Sequence, residues 1–411
     1  MGLKNSFDCW INDTIGVEAI VLSHCQDLYT TSHVQSFHDS FAGIHEGPII
    51  NLSKWEALTS LSSDREIWIF IKSMKPWKAP RPDGLHATFF QNYWDLLNPK
   101  VIYKAVTKIL VFRLKNIVGE LISPFQANFI PGRNGIDNVL ILRELVYSFS
   151  KRKGRTGDMI IKLDLEKSYD RLEWGFIKEA LLFFNFPPTL ISIIMLCISL
   201  FKFAVIINSG TTEYFQPFRG LRLGDPLSPY LFILYIEYLS LKIQGDINAN
   251  GWKGSKLGKS GPIINHLFFA DDLIFIGKAT MTNASYLEDL LGFFCLRSGQ
   301  RINLSKSRIL FSANTSIDTK RDICSKLNIS KSPHLGKYLG FPITAKKVAK
   351  SDCLYIVDKV RSKLAGWKAN LLSLAGRATL VSAVLSAIPN YYMQGMFLPS
   401  SIHNELDRIS R

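Results

Sequence analysis

Residues 264–277 read INHLFFADDLIFIG. Two apolar runs of strand character flank two adjacent carboxylates, Asp271 and Asp272. A tight hairpin places both at its tip. Two anions side by side between buried strands repel each other, and a bland turn more naturally uses Asn-Gly or Asp-Gly. A divalent cation relieves that repulsion, and Mg²⁺ binds carboxylate oxygens and substrate phosphates in this way. A further carboxylate stands upstream. Residues 158–164, DMIIKLD, read as a strand ending in Asp164. Laid beside the hairpin, that strand brings Asp164 to face Asp271. Three carboxylates around two metal ions suit in-line phosphoryl transfer, one ion activating the attacking hydroxyl and the other steadying the leaving group.

The chain around these motifs has 411 residues, 47% apolar and 20% charged. That describes a folded globular protein and excludes a largely disordered one. The length is a prior for two or three domains with a sizeable core. Lys and Arg number 49 against 34 Asp and Glu, a net charge of +15, which points to a polyanion, either nucleic acid or an acidic membrane surface. Cys9, Cys25, Cys197, Cys295, Cys324 and Cys353 show neither zinc spacing nor a disulfide framework, so a reducing compartment is expected. The start, MGLKNSFDCWIND, has no apolar signal core, although Gly2 with Ser6 loosely fits the myristoylation pattern. The most apolar run, Leu190 to Asn208, is interrupted by Lys202 and is short for a bilayer. It reads as a buried helix followed by a buried strand, and no membrane partner is expected.

Along the chain, residues 1–50 carry no clear punctuation and read as a lead-in, either helical or poorly ordered. The pattern turns helical from 51. KAPRPDG (78–84) is a turn with Asp83 as a helix cap, and VIYKAVTKILVFRLKNIV (101–118) is a further helical stretch. Glu173 to Phe184 reads as a helix. Residues 203–218 read as a hairpin turning at Asn208-Ser209-Gly210. Asp225-Pro226 reads as a helix start, Asp as the cap and Pro at the first helical position. A Gly/Lys/Ser-rich loop follows at 248–262. In the C-terminal part Val357, Val360 and Leu364 share one helical face, and so do Leu380, Val384 and Ile388. Eight Lys/Arg against two Asp over 346–377 give a local +6, a basic outer face able to grip a phosphate backbone.

Near Asp164, Glu166 is expected to face solvent, and Asp170 to pair with Arg171 or cap the helix at Glu173. Tyr169 is the more interesting neighbour. An aromatic ring beside an incoming sugar clashes with a 2′-hydroxyl and so selects deoxynucleotides.

Taken in order, KAPRPDG, SPFQANFIPGRNGIDN, KLDLEKSYDRLEW, RGLRLGDPLSPYLF, FFADD, SGQRINLSKS, YLGFP and GWKANLLSLAGRATL resemble the reverse transcriptase of plant non-LTR (LINE-type) retrotransposons from about residue 55 to the end. The resemblance implies an α+β, right-hand polymerase. Its parts would be incomplete fingers at 51–150, a palm at 151–345 with an antiparallel sheet packed on helices, and a helical thumb at 346–411. It implies an RNA-directed DNA polymerase that transfers nucleotides onto a primer 3′-hydroxyl. The partners would be an RNA template, a DNA primer and deoxynucleoside triphosphates, in the nucleus. Asp164, Asp271 and Asp272 match the catalytic aspartates, which hold two Mg²⁺ ions. Tyr169 matches the sugar-selecting position, and Arg222, Leu223 and Gly224 fall in the segment lying against nucleotide and template. Lys306 matches the lysine that protonates the leaving pyrophosphate. YLGFP resembles the turn that helps hold the primer.

Three departures from the family stand out. The KAPRPDG helix runs straight into the IYK helix, so a stretch carrying LIPK- and FRPIS-type motifs is missing near Pro99-Lys100-Val101. Leu223 replaces the usual Gln of RGLRQGDP, losing a hydrogen-bonding group. In KAPRPDG, Arg81 stands where the family usually has Gly, which strains the backbone if the position needs positive φ. The chain as given leaves no room for the family's endonuclease and stops before a ribonuclease H or zinc-knuckle region. Two functions follow: a polymerase, or a catalytically defective relic that binds RNA or DNA without turnover. A membrane-associated basic protein is a third, resting only on 190–208 and Gly2. Loss of the fingers strands is expected to expose strand edges or apolar faces and to favour association.

Overall fold

A computed structural model of the chain describes residues 9–31, 50–60 and 102–410, with breaks at 209, 247–250, 259 and 365–371, and a few positions elsewhere before residue 90. KAPRPDG with Arg81, and the junction at Pro99-Lys100-Val101, lie outside the described residues. The main elements in chain order are α1 (Thr14–Tyr29), α2 (Leu52–Thr59), α3 (Ile102–Lys115), α4 (Gly135–Ser150), β1 (Asp158–Leu163), α5 (Trp174–Phe183), α6 (Pro188–Ser199) and α7 (Ser228–Asp246). They continue with β2 (His266–Phe269), β3 (Asp272–Lys278), α8 (Met281–Ser298), β4 (Arg308–Phe311), α9 (Ile317–Leu327), α10 (Leu354–Leu364), α11 (Leu374–Leu380), α12 (Ala387–Met393) and α13 (Ser400–Ser410).

The chain forms two compact units, each drawn from three stretches. The first comprises 1–133, 164–251 and 287–303, and the second 134–163, 252–286 and 304–411.

The first unit is helical. Its centre is α7, SPYLFILYIEYLSLKIQGD, which is apolar nearly all round and buried nearly all round, as an interior helix must be. Phe176 of α5 meets Tyr238 of α7 edge-on at 5.7 Å, and Tyr235 of α7 stacks on Phe294 of α8 at 6.0 Å. The 119–133 loop is tied by the Arg133 guanidinium, which donates to the carbonyls of Gly119, Ile122, Ser123 and Gln126. One fan of donors thereby ties four carbonyls of this segment to a single side chain.

The second unit holds a four-stranded antiparallel sheet in the order β4-β1-β3-β2. β1, DMIIKL, is an apolar run of the length expected for a strand buried on both faces, and all but Lys162 is buried. Ile160, Ile274, Ile276, Leu267 and Leu310 of the sheet join Val139, Leu142, Leu145 and Phe149 of α4 in one core, which extends to Val357 and Val360 of α10 and Ile402 of α13. At its N-terminal end, Asp158 is buried and paired with Arg152 at 2.7 Å and Lys278 at 2.8 Å.

Several expectations shift. α7 starts at Ser228, not Pro226, because the Asp225 carboxylate closes a turn of its own by accepting from the Leu227 N–H at 2.8 Å. The run 190–208 begins as a partly buried helix, α6, but Ile206 in the following hairpin is 77% exposed, so the second half is not a buried strand. Among the described residues no helix is long and apolar enough to cross a membrane. The Asn208 turn forms as read, with Asn208 at φ 47° and Ile207 paired to Gly210. The loop after α7 carries a core residue: Trp252 is buried and its indole N–H donates to the Ile276 and Asn265 carbonyls. In the C-terminal helices a π turn at Val381–Leu385 adds a residue. This rotates the helix face, so that Leu385 and Tyr392 are buried while Val384 is 37% exposed.

Candidate functional site

Asp271 and Asp272 stand where β2 turns into β3. Phe269 pairs with Asp272, leaving Ala270 and Asp271 as a two-residue loop. Ala270 is buried and takes φ 52°, in the left-handed region that two-residue hairpins demand and that usually selects glycine. Holding an alanine there costs about 1–2 kcal/mol. That strain is carried by strands whose apolar residues are locked in the core. Asp271 is exposed and Asp272 half-buried. The turn geometry sets where both acids stand.

Leu163, the last residue of β1, pairs with Leu273. The chain therefore leaves the sheet at Asp164 at the end where it enters β3 at Asp272. Asp164 is half-buried, and its carbonyl accepts from the Asn303 N–H at 2.8 Å. Lys306 is exposed in the turn two residues before β4, whose Arg308 pairs with Lys162 of β1. The carboxylates supply the hard oxygen donors that Mg²⁺ prefers, and Mg²⁺ is commonly held by one or two carboxylates plus substrate phosphates rather than by a complete protein cage. Among the described residues, however, no group of three or more His, Cys, Asp or Glu side chains is placed to hold a metal ion, so the expected cluster of three carboxylates is not assembled by the protein's side chains alone.

YLGFP forms a tight hairpin in the second unit. Leu339 (φ 48°) and Gly340 (φ 84°) are consecutive left-handed residues, and Tyr338 pairs with Phe341. The Tyr355 hydroxyl donates to the Gly340 carbonyl at 2.6 Å, the Tyr391 hydroxyl to that of Leu339 at 2.9 Å, and the Lys162 ammonium to that of Lys337 at 2.7 Å. Asn138, on α4, donates to the Phe268 carbonyl at 3.1 Å and to the Tyr338 hydroxyl at 3.5 Å. Burial first, and then the charge of Asp272, hold the Tyr338 hydroxyl well above its ordinary pKa. The hairpin is therefore registered against the aspartate turn through Asn138, a residue that motif reading left without a role.

In the first unit the structure joins Tyr169 to the 219–225 segment. The Tyr169 ring stacks on Phe232 of α7 at 4.4 Å and 11°. Its carbonyl accepts from the Leu221 N–H at 2.7 Å, and the Leu172 carbonyl accepts from the Gly220 N–H at 2.8 Å. Arg222 is half-buried, Leu223 is 70% exposed, and Gly224 takes φ 85°. The buried partner of this segment is Arg219, which pairs with Glu173 at 3.1 Å. Of the acids beside Tyr169, Glu166 reaches solvent as expected, its side chain 45% exposed while it pairs with Arg171 at 3.6 Å. Asp170 neither pairs with Arg171 nor caps the next helix but accepts from the Tyr29 hydroxyl at 2.7 Å. That partner lies 141 residues away, beyond the reach of local sequence reasoning.

Comparison with known proteins gives this geometry a context. A family model described as reverse transcriptase (RNA-dependent DNA polymerase) matches residues 92–343. The chain is 25% identical over 394 residues to the transposon TX1 uncharacterized 149 kDa protein of Xenopus laevis, across 83% of this chain and 29% of that protein. It is 28% identical over 216 residues to the retrovirus-related Pol polyprotein from type-2 retrotransposable element R2DM of Drosophila melanogaster, across 53% of this chain and 19% of that one. A stretch of 70 residues is 43% identical to a putative ribonuclease H protein of Arabidopsis thaliana, across 17% of this chain and 11% of that one. The chain spans less than a third of the length of each of these relatives.

Proposed function

The chain belongs to the reverse transcriptase (RNA-dependent DNA polymerase) family, and on that premise we propose that it extends a primer 3′-hydroxyl with deoxynucleotides on an RNA template. The observation that carries this reading is the strained Ala270 turn, which presents Asp271 and Asp272 at the end of the sheet where β1 runs out into Asp164. In this reading Asp164, Asp271 and Asp272 hold two Mg²⁺ ions. Metal held there would supply Lewis-acid polarisation of the 3′-hydroxyl and charge neutralisation for the departing pyrophosphate. Lys306 delivers a proton to that pyrophosphate. Tyr169, braced on Phe232, excludes a ribose 2′-hydroxyl, and the Arg222–Gly224 turn lies against the nucleotide. The Tyr338–Pro342 hairpin grips the primer end, and the basic segment from Lys346 onward follows the duplex backbone.

The finer history is part of the same proposal. We place the chain among plant LINE-type elements, with fingers at 51–150 that lost a strand pair near residue 100, a palm at 151–345, a thumb at 346–411, and a nuclear site of action. A second reading has one specific observation in its favour. Leu223 presents an apolar side chain at 70% exposure where the family's Gln would offer hydrogen bonds, which suits a relic that binds nucleic acid without turnover.

Primer extension on an RNA template with Mg²⁺ and deoxynucleotides separates the two. Extension by the parent that is lost in Asp271→Asn/Asp272→Asn establishes polymerase chemistry. No extension by the parent, with RNA binding retained by both, establishes the relic, and Leu223→Gln then tests whether that one side chain restores turnover.

A further inference from the structure

α1 has no buried residue, and Ile15 on it is 82% exposed. Its own apolar burial is too slight to hold it in place. What holds it is its C-terminal end. There the Phe218 N–H donates to the Tyr29 carbonyl at 2.9 Å, and the Arg219 guanidinium to the Leu28 carbonyl at 2.8 Å. These are carbonyls of the last helical turn, which a helix leaves without internal partners. The Tyr29 hydroxyl donates to Asp170 at 2.7 Å, and its ring packs on Phe203 at 4.6 Å and Phe215 at 6.1 Å. The Thr31 hydroxyl donates to Glu173 at 2.7 Å, the carboxylate that also pairs with Arg219.

The hydrogen bonds among these contacts all fall on two short segments, 170–173 and 218–219. The same two segments are laced by the Gly220 and Leu221 N–H bonds to the Leu172 and Tyr169 carbonyls. Gly220 sits in the seam. A Cβ there would lie 2.7 Å from the Asp170 carbonyl oxygen and 3.1 Å from the Tyr29 ring. Nothing in the reading of the site gives α1 a part, yet its end closes the backbone ladder from which Tyr169 and Arg222–Gly224 project.

We propose that Leu28–Thr31 is a strap that positions the nucleotide-contacting loop 219–224 against Tyr169, with Tyr29 as its positioning residue. The role rests on the assignment of Tyr169 and Arg222–Gly224 to the nucleotide. A hydroxyl bonded to a carboxylate is among the stronger single contacts, and its loss leaves Asp170 short of a donor in a part-buried place.

The test is Tyr29→Phe, which keeps the ring packing and removes only the hydroxyl, with Asp170→Asn alone and in combination. Two readouts are taken on the full chain. In primer extension the KM for deoxynucleotide rises about 5- to 20-fold while kcat changes less than twofold, and discrimination against ribonucleotides falls. In hydrogen–deuterium exchange the peptide covering 218–224 exchanges faster, while β1 and β3 are unchanged. The double variant is no worse than the worse single one, because both act through one contact. If the parent extends primers and the KM of Tyr29→Phe matches it, the strap is overturned, whatever the exchange shows. If the parent extends nothing, the assignment of the site fails on its own account and exchange alone decides the strap: faster exchange over 218–224 supports it, and unchanged exchange overturns it.

Discussion

Glu237 is a carboxylic acid in the middle of α7, fully buried, and burial pushes its pKa up to about 8. The Ser123 N–H, donating to one carboxyl oxygen at 3.0 Å, and the nearby Arg133 charge pull the other way, and burial outweighs them. Its second oxygen has no hydrogen-bond partner among the described residues. In the unfolded chain the group ionises near 4.5. Between pH 4.5 and 8, then, the folded form keeps a proton that the unfolded form has released. Stability falls as pH rises through that window, by about 1.4 kcal/mol per pH unit and about 5 kcal/mol in all, and is flat on either side. Glu237→Gln keeps the acceptor for Ser123 and has no proton to lose. Near pH 5 the variant and the parent therefore unfold at urea midpoints corresponding to within about 1 kcal/mol of each other. At pH 8.5 the variant is more stable by about 3–5 kcal/mol. Urea titrations followed by tryptophan fluorescence from pH 5 to 9 read both. A difference that stays constant across that range would refute the reasoning, since it would mean that Glu237 ionises in the folded protein at an ordinary pH.

Three shorter expectations concern stability. Gly220→Ala destabilises by at least about 2 kcal/mol, because position 220 combines φ 91° with a backbone oxygen inside contact distance of the new Cβ; a chemical denaturation midpoint measures it. Trp252→Phe costs about 1–3 kcal/mol, since two buried carbonyls, of Ile276 and Asn265, lose their shared donor; thermal unfolding by circular dichroism shows the drop. Asp158→Asn removes the anion between Arg152 and Lys278. We expect a loss of about 2–4 kcal/mol, near the lower end because both cations reach solvent, and a loss that 1 M salt changes little because the carboxylate itself is shielded.

Much of the architecture is written in short local signals. DMIIKLD and the two runs around Asp271-Asp272 are apolar, strand-length and bounded by turn residues, and they form three of the four strands of the sheet. The Asn208 turn and the α5 helix are equally local. What escapes is whatever depends on a distant partner or a phase shift. Asp170 looks like the mate of adjacent Arg171, but Tyr29 takes it because α1 folds back onto that segment. Trp252 is a single aromatic in a polar loop, with no period to betray that it is core. Val384 lies on the predicted helical face, yet one extra residue in the π turn hands its place to Leu385. Of the candidate site, the aspartate hairpin is legible because its chemistry and its geometry share one motif. The ladder joining Tyr169 to Leu221 and the bracing of Tyr338 through Asn138 are not, because each links segments that are far apart in sequence.

The strand order of the sheet also sets a timetable for synthesis. β1 lies between β3 and β4, and β3 emerges about a hundred residues later. At ribosomal rates of about 5–20 residues per second, Met159 to Leu163 wait on the order of 5–20 s with both edges unpaired. Contacts so distant in the chain also close slowly. For that interval the nascent protein carries an apolar, β-prone segment that any neighbouring strand can capture. Yield in a host cell should therefore depend on translation speed and on holding chaperones more than on the stability of the finished fold.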